Sequence, residues 1–283
     1  MQVVRTSEME WGGNIIAHRA GTVRFKRLFD GVPGSPDNFT LVLTDEHSDF
    51  FSPRHRHNFD QIRYCLKGSV PIGKASKVGE GEVGYFPEGV PYGPQEGGPD
   101  RTVLVLQMGG ASGEGYMSPE QQNEGRELLS REGRFEGGVF KREKGEGKAN
   151  MDAFEALWLK VMGRPVHYAE PAYSAPIVMR PEGFAWRPMH GEEGVEQKFL
   201  GLFPERGLLL GELRLAAGAT LALAPSPARR LILVTQGEGQ CGDEPYDALT
   251  AIHAEPGEAE EFTASSETRM LMIELAILGA AAA

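Results

Sequence analysis

Two histidines one residue apart, followed by an amide and a phenol, are the side chains best suited to chemistry in this sequence. His55 and His57 lie in a segment predicted to be extended, where residues two apart point to the same side, so both imidazoles can face one point. Imidazole nitrogens are good ligands for Fe, Cu, Ni, Mn and Zn, and a barrel interior can present them preformed. We therefore expect His55 and His57 to hold one divalent transition metal of unspecified identity.

Gln61 and Tyr92 are two further side chains of this segment that could bind a metal. Gln61 would coordinate through its amide oxygen and bring no charge. Tyr92 would bind as a phenolate, and because the reference pKa of a phenol is ~10, the metal must supply the energy of ionisation. Tyr92 has a second interpretation, as an acid or base that hydrogen-bonds a bound water or the substrate. Such a site leaves coordination positions open for a substrate or dioxygen.

Neighbours on the same strand face add to the predicted site. If Gln61 points inward, the period of two turns Arg63 and Cys65 inward and Ile62 and Tyr64 outward. A buried guanidinium needs an anionic partner, so Arg63 either anchors a substrate carboxylate or enolate or pairs with an internal Asp or Glu. Cys65 is expected to be a small core residue.

The spacing of these residues resembles the two motifs of the cupin superfamily. Those motifs read His-any-His, three or four residues, Glu, six residues, Gly, and later Gly, five residues, Pro-any-Gly, two residues, His. Gln61 stands where the family has Glu, and Tyr92 stands where it has the last His, so the resemblance implies a metal site made of His55, His57, Gln61 and Tyr92. The spacing itself is met throughout, by His55, His57, Gln61, Gly68, Gly81, Pro87, Gly89 and Tyr92. The resemblance implies an all-β fold of jelly-roll barrels, also called double-stranded β-helices.

The barrel pattern occurs twice. A shift of 169 residues lays Gly68 on Gly237, Pro87 on Pro256 and Leu106 on Leu275. A repeat of this length indicates two copies of a whole domain. We predict two tandem cupin barrels joined by a short helical connector, with residues 1–110 as the first barrel, 111–165 as the connector and 166–279 as the second barrel.

The second barrel keeps none of the predicted ligands. The same shift places Ala224, Ser226, Arg230 and Glu261 at the four positions, and no metal site can be made from that set. We expect this copy to be structural, dimerising, or a binder of an organic ligand.

Two helices are predicted in the connector. Ser118-Pro119-Glu120-Gln121 has the pattern of an N-cap, a first-turn proline and a capping box, with a helix to about Ser130. Asn150 is predicted to cap a second helix, from about Met151 to Met162. Its aromatic face is expected to dock on the outside of a sheet, and a lid on a ligand site is the less favoured alternative.

The net charge of the sequence indicates which kind of partner the protein binds. The formal charge of −11 would repel a phosphate backbone, so we expect a small, anionic molecule as ligand and no nucleic acid. The sequence has two distant cysteines, no leader-like start and no apolar run of ~18 residues, which indicates a cytoplasmic protein without a membrane span. Long barrel edges favour a homodimer.

The predicted function is that of a metal-dependent enzyme of the cupin type. An oxygenase (dioxygenase) acting on a small organic acid, an aromatic or a diketone-like substrate is favoured, with Tyr92 and Arg63 as catalytic residues. A zinc-dependent isomerase, lyase or hydrolase would use the same residues. A non-catalytic binding or sensor protein is the alternative from another class, since the fold alone does not name a reaction.

Overall fold

The computed structural model describes residues 1–13, 21–95 and 99–278. The chain forms two compact units, one made of Trp11–Val178 and the other of Met1–Glu10 with the chain from Met179 onward. Both units consist mainly of strands. Within the described ranges, no helix has the length and apolar character needed to cross a membrane.

The chain begins with strand β1 (Gln2–Arg5), which belongs to the second unit. It pairs antiparallel with Thr250–Ala254, with Gln2 opposite His253 and Arg5 opposite Thr250. The sequence analysis assigned residues 1–110 to the first barrel, and the structure places the first ten in the other unit. The physical reason is main-chain hydrogen bonding, because an edge strand accepts any extended segment that reaches it.

The first unit is a jelly-roll barrel built mainly from one six-stranded sheet. Its main sheet has the order β12-β7-β4-β8-β3-β2, and β5 pairs with β6. These strands are β2 (Val23–Asp30), β3 (Phe39–Glu46), β4 (Phe59–Lys67), β5 (Ser69–Pro71), β6 (Lys77–Gly79), β7 (Val83–Phe86) and β8 (Arg101–Gly109).

The connector follows β8 and contains both helices. Helix α1 (Pro119–Leu129) begins as predicted, with Ser118 as N-cap and the reciprocal capping-box bonds to Gln121. Strands β9 (Gly133–Glu136), β10 (Val139–Arg142) and β11 (Asn150–Asp152) form a small sheet. Helix α2 (Ala153–Met162) comes next, and then β12 (Ile177–Met179).

The cap predicted for α2 was wrong by two residues. Asp152 is the N-cap, and its Oδ1 accepts from the backbone N–H of Phe154 at 2.8 Å and of Glu155 at 3.2 Å. Asn150 lies in β11 and pairs with Lys141 of β10. Pairing with a neighbouring strand therefore delays the start of the helix.

The second unit repeats the first barrel. Its large sheet has the order β1-β20-β17-β22-β15-β14-β13, and a smaller one has the order β16-β21-β18-β19. The strands are β13 (Arg187–Pro188), β14 (Val195–Phe203), β15 (Leu208–Leu215), β16 (Thr220–Leu223), β17 (Arg229–Gln236), β18 (Gly239–Cys241), β19 (Glu244–Tyr246), β20 (Thr250–Ala254), β21 (Glu260–Ala264) and β22 (Thr268–Leu275).

The predicted repeat is visible in the strand bounds. The 169-residue shift carries the first and last residues of β3 onto those of β15, and the order β7-β4-β8-β3-β2 matches β20-β17-β22-β15-β14. Gly68 and Gly237, which the shift also superposes, both have positive φ, at 81° and 93°. That backbone region favours glycine, so both barrels make the same turn after the same strand.

Candidate functional site

The predicted ligands of the first barrel meet at the hydroxyl oxygen of Tyr92. His55 Nε2 lies 3.1 Å from this oxygen and His57 Nε2 lies 2.9 Å from it. The main chain holds the three together, because the N–H groups of His55 and Tyr92 each donate to the other residue's carbonyl, at 3.1 and 2.9 Å. This bridge faces the main sheet across the barrel and fixes the imidazoles and the phenol as one cluster.

Strand β4 supplies the other half of the cluster. Gln61 and Arg63 point to the barrel interior, as the period of two predicts. Arg63 Nη2 lies 3.1 Å from the Tyr92 hydroxyl, and Gln61 Nε2 lies 3.4 Å from it. Gln61 Oε1 accepts from Arg63 Nε at 3.1 Å and from Nη2 at 3.0 Å. The amide oxygen that the sequence analysis expected on a metal is thus bound to the guanidinium.

Arg63 is a buried cation with neutral neighbours. Only 8% of the residue is exposed, and in the described part of the chain its hydrogen-bond partners are Gln61 and Tyr92. The rings of Phe86 and Tyr92 lie 5.0 and 5.3 Å from its central carbon. Nη1 makes no hydrogen bond to a described residue. Of the two predicted roles for Arg63, the pairing with an internal carboxylate is not seen among these residues.

The donor set of the cluster fits a transition-metal ion. His55 Nδ1 lies 2.6 Å from the carbonyl oxygen of Pro53, and because a carbonyl only accepts, Nδ1 carries the proton in this contact. The neutral ring then presents the lone pair of Nε2 to the cluster centre, which is the arrangement that a metal-binding histidine needs. In the described ranges, no group of three or more His, Cys, Asp and Glu side chains is arranged to hold a metal ion. A third donor here is therefore the oxygen of Tyr92.

Two adjoining cavities open from the cluster into the barrel. The first, which is the larger, extends along β3 to Glu46, and the second is lined by both imidazoles. Their common wall is formed by Phe50, Arg63, Gln95, Gln107 and Gln122. The interior is thus a shared chamber with a cation and three amides at its centre.

Helices α1 and α2 of the connector close part of this chamber. Gln122 of α1 lines both cavities, and Phe154 of α2 lines the one that contains the imidazoles. The Phe154 ring lies 5.7 Å from the His57 ring and 5.8 Å from that of Phe59. The aromatic face of α2 was predicted to dock on the outside of a sheet, and in the structure Phe154 of this face contributes to the site.

Asp60 and Cys65 both serve structural roles in the first barrel. Asp60 accepts from the Tyr85 hydroxyl at 2.9 Å and from the backbone N–H of Glu88 at 2.7 Å, and so secures the turn that precedes Tyr92. Cys65 is fully buried in an apolar cluster with Val42, Val103 and Val105. Burial raises the pKa of its thiol to about 11, so the thiol is protonated at neutral pH and Cys65 acts as a core residue.

The second barrel has a different interior. Arg230, the counterpart of Gln61, donates to Glu260 at 2.5 Å and to Glu274 at 2.9 Å, and Glu261 is exposed. The centre is filled by apolar side chains, among them Leu213, Leu215, Leu221, Ile232, Ile252, Phe262 and Met270. This barrel is therefore a packed core with a buried ion-pair cluster at one side.

Comparison with solved structures supports the fold. A protein of Nostoc punctiforme described as a "putative dioxygenase" matches with a TM-score of 0.64 and 12% identity, covering 99% of this chain and 84% of that one. A Geobacillus kaustophilus protein matches with a TM-score of 0.56 and 12% identity, covering 99% and 97%.

The oxalate decarboxylase of Bacillus subtilis, in a mutant form, has a TM-score of 0.56 and 13% identity, with coverage of 99% and 78%. No family model matches the sequence, and no curated protein matches it significantly. At these identities the likeness concerns the fold alone, two jelly-roll barrels in one chain.

Proposed function

We propose that the first barrel is the active site of a metal-dependent, cupin-type enzyme that acts on a small organic acid, most plausibly as an oxygenase. The observation that carries the proposal is Arg63, a buried guanidinium beside two imidazoles, with Nη1 directed to no described residue. A buried charge without an ionic partner costs several kcal/mol, and a ligand carboxylate would remove that cost.

The roles of the residues follow from their positions. Arg63 binds and orients the carboxylate, and while no metal is bound the phenol oxygen of Tyr92 shares its proton with His55 Nε2. Phe154 and Phe50 exclude water from the chamber. His55, His57 and Tyr92 would hold the metal, which when bound supplies a Lewis acid and, in an oxygenase, a site for dioxygen.

Two solved structures with this fold carry names that agree with the proposal, a "putative dioxygenase" and an oxalate decarboxylase. Oxalate is a small organic acid. At 12% and 13% identity these names support the class of substrate and not a particular reaction.

The test combines metal analysis, ligand binding and oxygen consumption. Untagged protein is analysed for Fe, Cu, Ni, Mn and Zn, propionate binding is measured by calorimetry, and oxygen uptake is followed with a panel of small organic acids. We expect a near-stoichiometric metal and propionate binding that Arg63→Met weakens about tenfold or more, since hydrogen bonds to a charged group contribute about 1.5–3 kcal/mol.

A matched control lies on the same strand. Lys67→Met removes one positive charge from the exposed end of β4 and should leave propionate binding unchanged. If the protein holds a metal and converts an acid without consuming oxygen, the proposed reaction changes from that of an oxygenase to that of an isomerase, lyase or hydrolase. Acid binding to a metal-free barrel would indicate a binding or sensor protein, and the absence of acid binding would end the proposal.

A further inference from the structure

Gln107, on β8, has a side-chain amide whose orientation is set by a residue outside the barrel strands. The hydroxyl of Tyr116 donates to Gln107 Oε1 at 2.8 Å. Since the amide oxygen is bound there, the NH₂ group is turned to the other side of the amide, and Gln107 lines both cavities. Nε2 makes no hydrogen bond to a described residue and is available to a ligand.

Tyr116 is itself firmly held. It is buried, its ring packs edge-on against Phe59 at 5.1 Å, and Asn38 Nδ2 donates to its backbone carbonyl at 3.1 Å. Burial raises the pKa of its hydroxyl above the ordinary value, so the group remains a protonated donor at neutral pH. The amide of Gln107 therefore keeps one orientation when a ligand arrives.

The strand register places Gln107 and Arg63 on the same wall of the chamber. Gln107 lies directly opposite Gln61, and Arg63 is two residues further along β4. The backbones of such diagonal neighbours are about 7 Å apart across an antiparallel pair, and both side chains line the two cavities. A short diacid in the chamber can therefore meet one donor with each carboxylate.

One acidic side chain shares the larger cavity and bears on the binding of a dianion. Glu46 lines that cavity, and its carboxylate is bound by Arg101 at 2.6 Å in a buried ion pair. Its charge is therefore balanced locally. The uncompensated charge of the chamber is the positive one of Arg63.

We propose that Gln107, oriented by Tyr116, determines specificity by binding a second carboxylate, so that the chamber prefers small dicarboxylates to monocarboxylates. This inference rests on the proposed role of Arg63 and adds the class of acid. Arg63 binds the first carboxylate of either ligand, and Gln107 responds to a ligand that has a second one.

The experiment compares two acids with the same carbon chain, malonate and propionate, at pH 7.5 by calorimetry. We expect Gln107→Leu to weaken malonate binding about tenfold, the loss of one charge-assisted hydrogen bond, while propionate affinity stays within about twofold. Tyr116→Phe keeps the ring and Gln107 but frees the amide to rotate, and should weaken malonate alone, by a smaller factor.

The control is the same substitution at another amide of the same wall. Gln122 donates through Nε2 to the Met117 carbonyl at 3.0 Å and so turns its oxygen toward the chamber. An acceptor gives no attraction to an anion, and Gln122→Leu should not weaken malonate binding. Thermal unfolding of each variant confirms that the fold is retained.

The outcomes separate this inference from the proposed function. If Arg63→Met leaves both affinities unchanged, the proposed function fails and the inference with it. If Arg63 is needed for both acids but Gln107→Leu affects them equally, or affects neither, the inference alone is overturned. A Tyr116→Phe protein that binds malonate like the wild type would show that Tyr116 does not orient the amide.

Discussion

Arg63 Nη2 and the hydroxyl oxygen of Tyr92 are 3.1 Å apart, at the point where both imidazoles converge. A permanent positive charge thus lies inside the cluster that is also suited to a metal ion. Two cations in one buried chamber repel each other unless an anion is present. The binding of metal and the binding of an organic acid should therefore reinforce each other, and the first three predictions below concern residues of this cluster.

Removing both imidazoles should remove the metal and keep the fold. In the double variant His55→Ala, His57→Ala we expect metal content near zero by elemental analysis, because Tyr92 alone is a poor site. The barrel should still unfold cooperatively, since its core is formed by apolar residues such as Val78 and Val103. Ser226→Ala, at the position equivalent to His57 in the second barrel, is the control and should retain the metal. Full occupancy in the double variant would exclude both histidines as ligands.

Removing the Tyr92 hydroxyl tests whether its oxygen is a ligand. With iron(III) or copper(II) bound, a phenolate ligand gives a charge-transfer band in visible light, and Tyr92→Phe should abolish it. The substitution should also lower the free energy of unfolding by about 2 kcal/mol, because the oxygen accepts from the buried guanidinium of Arg63. Chemical denaturation measures the change in the free energy of unfolding. If the spectrum does not change, Tyr92 is not a ligand and hydrogen-bonds the substrate or a bound water instead.

Gln61→Glu should weaken the binding of small acids. Gln61 Oε1 already accepts from two nitrogens of Arg63, so a carboxylate there would form a buried bidentate ion pair and neutralise the guanidinium. We expect propionate to bind at least about tenfold more weakly, with the metal held more tightly against a chelator. Gln240→Glu, at an exposed position of β18, makes the same charge change as a control. Unchanged propionate affinity would mean that the carboxylate binds elsewhere.

Both cysteines should resist alkylation in the folded protein. Burial raises the pKa of Cys65 to about 11 and that of Cys241 to about 12, from an ordinary value of 9.0, so little thiolate exists at pH 8. Iodoacetamide should modify them in urea and leave them intact without it, as mass spectrometry can measure.

The same shift predicts how stability depends on pH. Because both thiols ionise more readily when unfolded, their contribution to stability is present below pH 9 and is lost as the pH rises toward 11–12. In the alkylation experiment, rapid labelling of either cysteine by iodoacetamide in native protein at pH 8 would contradict the expected protection and show that the barrels open locally.

Local pattern was sufficient for much of the architecture. The start of α1 was predictable because a capping box is a four-residue signal, and the two barrels were predictable because turn glycines such as Gly68 and Gly237 recur at a constant shift. The inward direction of Gln61 and Arg63 followed from the two-residue period of a strand. Asn150 was misassigned because pairing with β10 competes with helix formation, and a local signal does not contain that competition.

The candidate site was also predicted in part from the sequence and decided in part by the tertiary structure. The sequence by itself determined which side chains of β4 reach the interior of the first barrel and that the predicted ligands do not recur in the second, since both depend on spacing along one strand or one repeat. Only the tertiary structure decided that the Tyr92 hydroxyl receives both imidazoles, that Gln61 holds Arg63, and that Tyr116 and Phe154 of the connector reach the chamber. These contacts depend on how the chain closes into a barrel, and neither periodicity nor composition records which side chains then lie within 3 Å of each other.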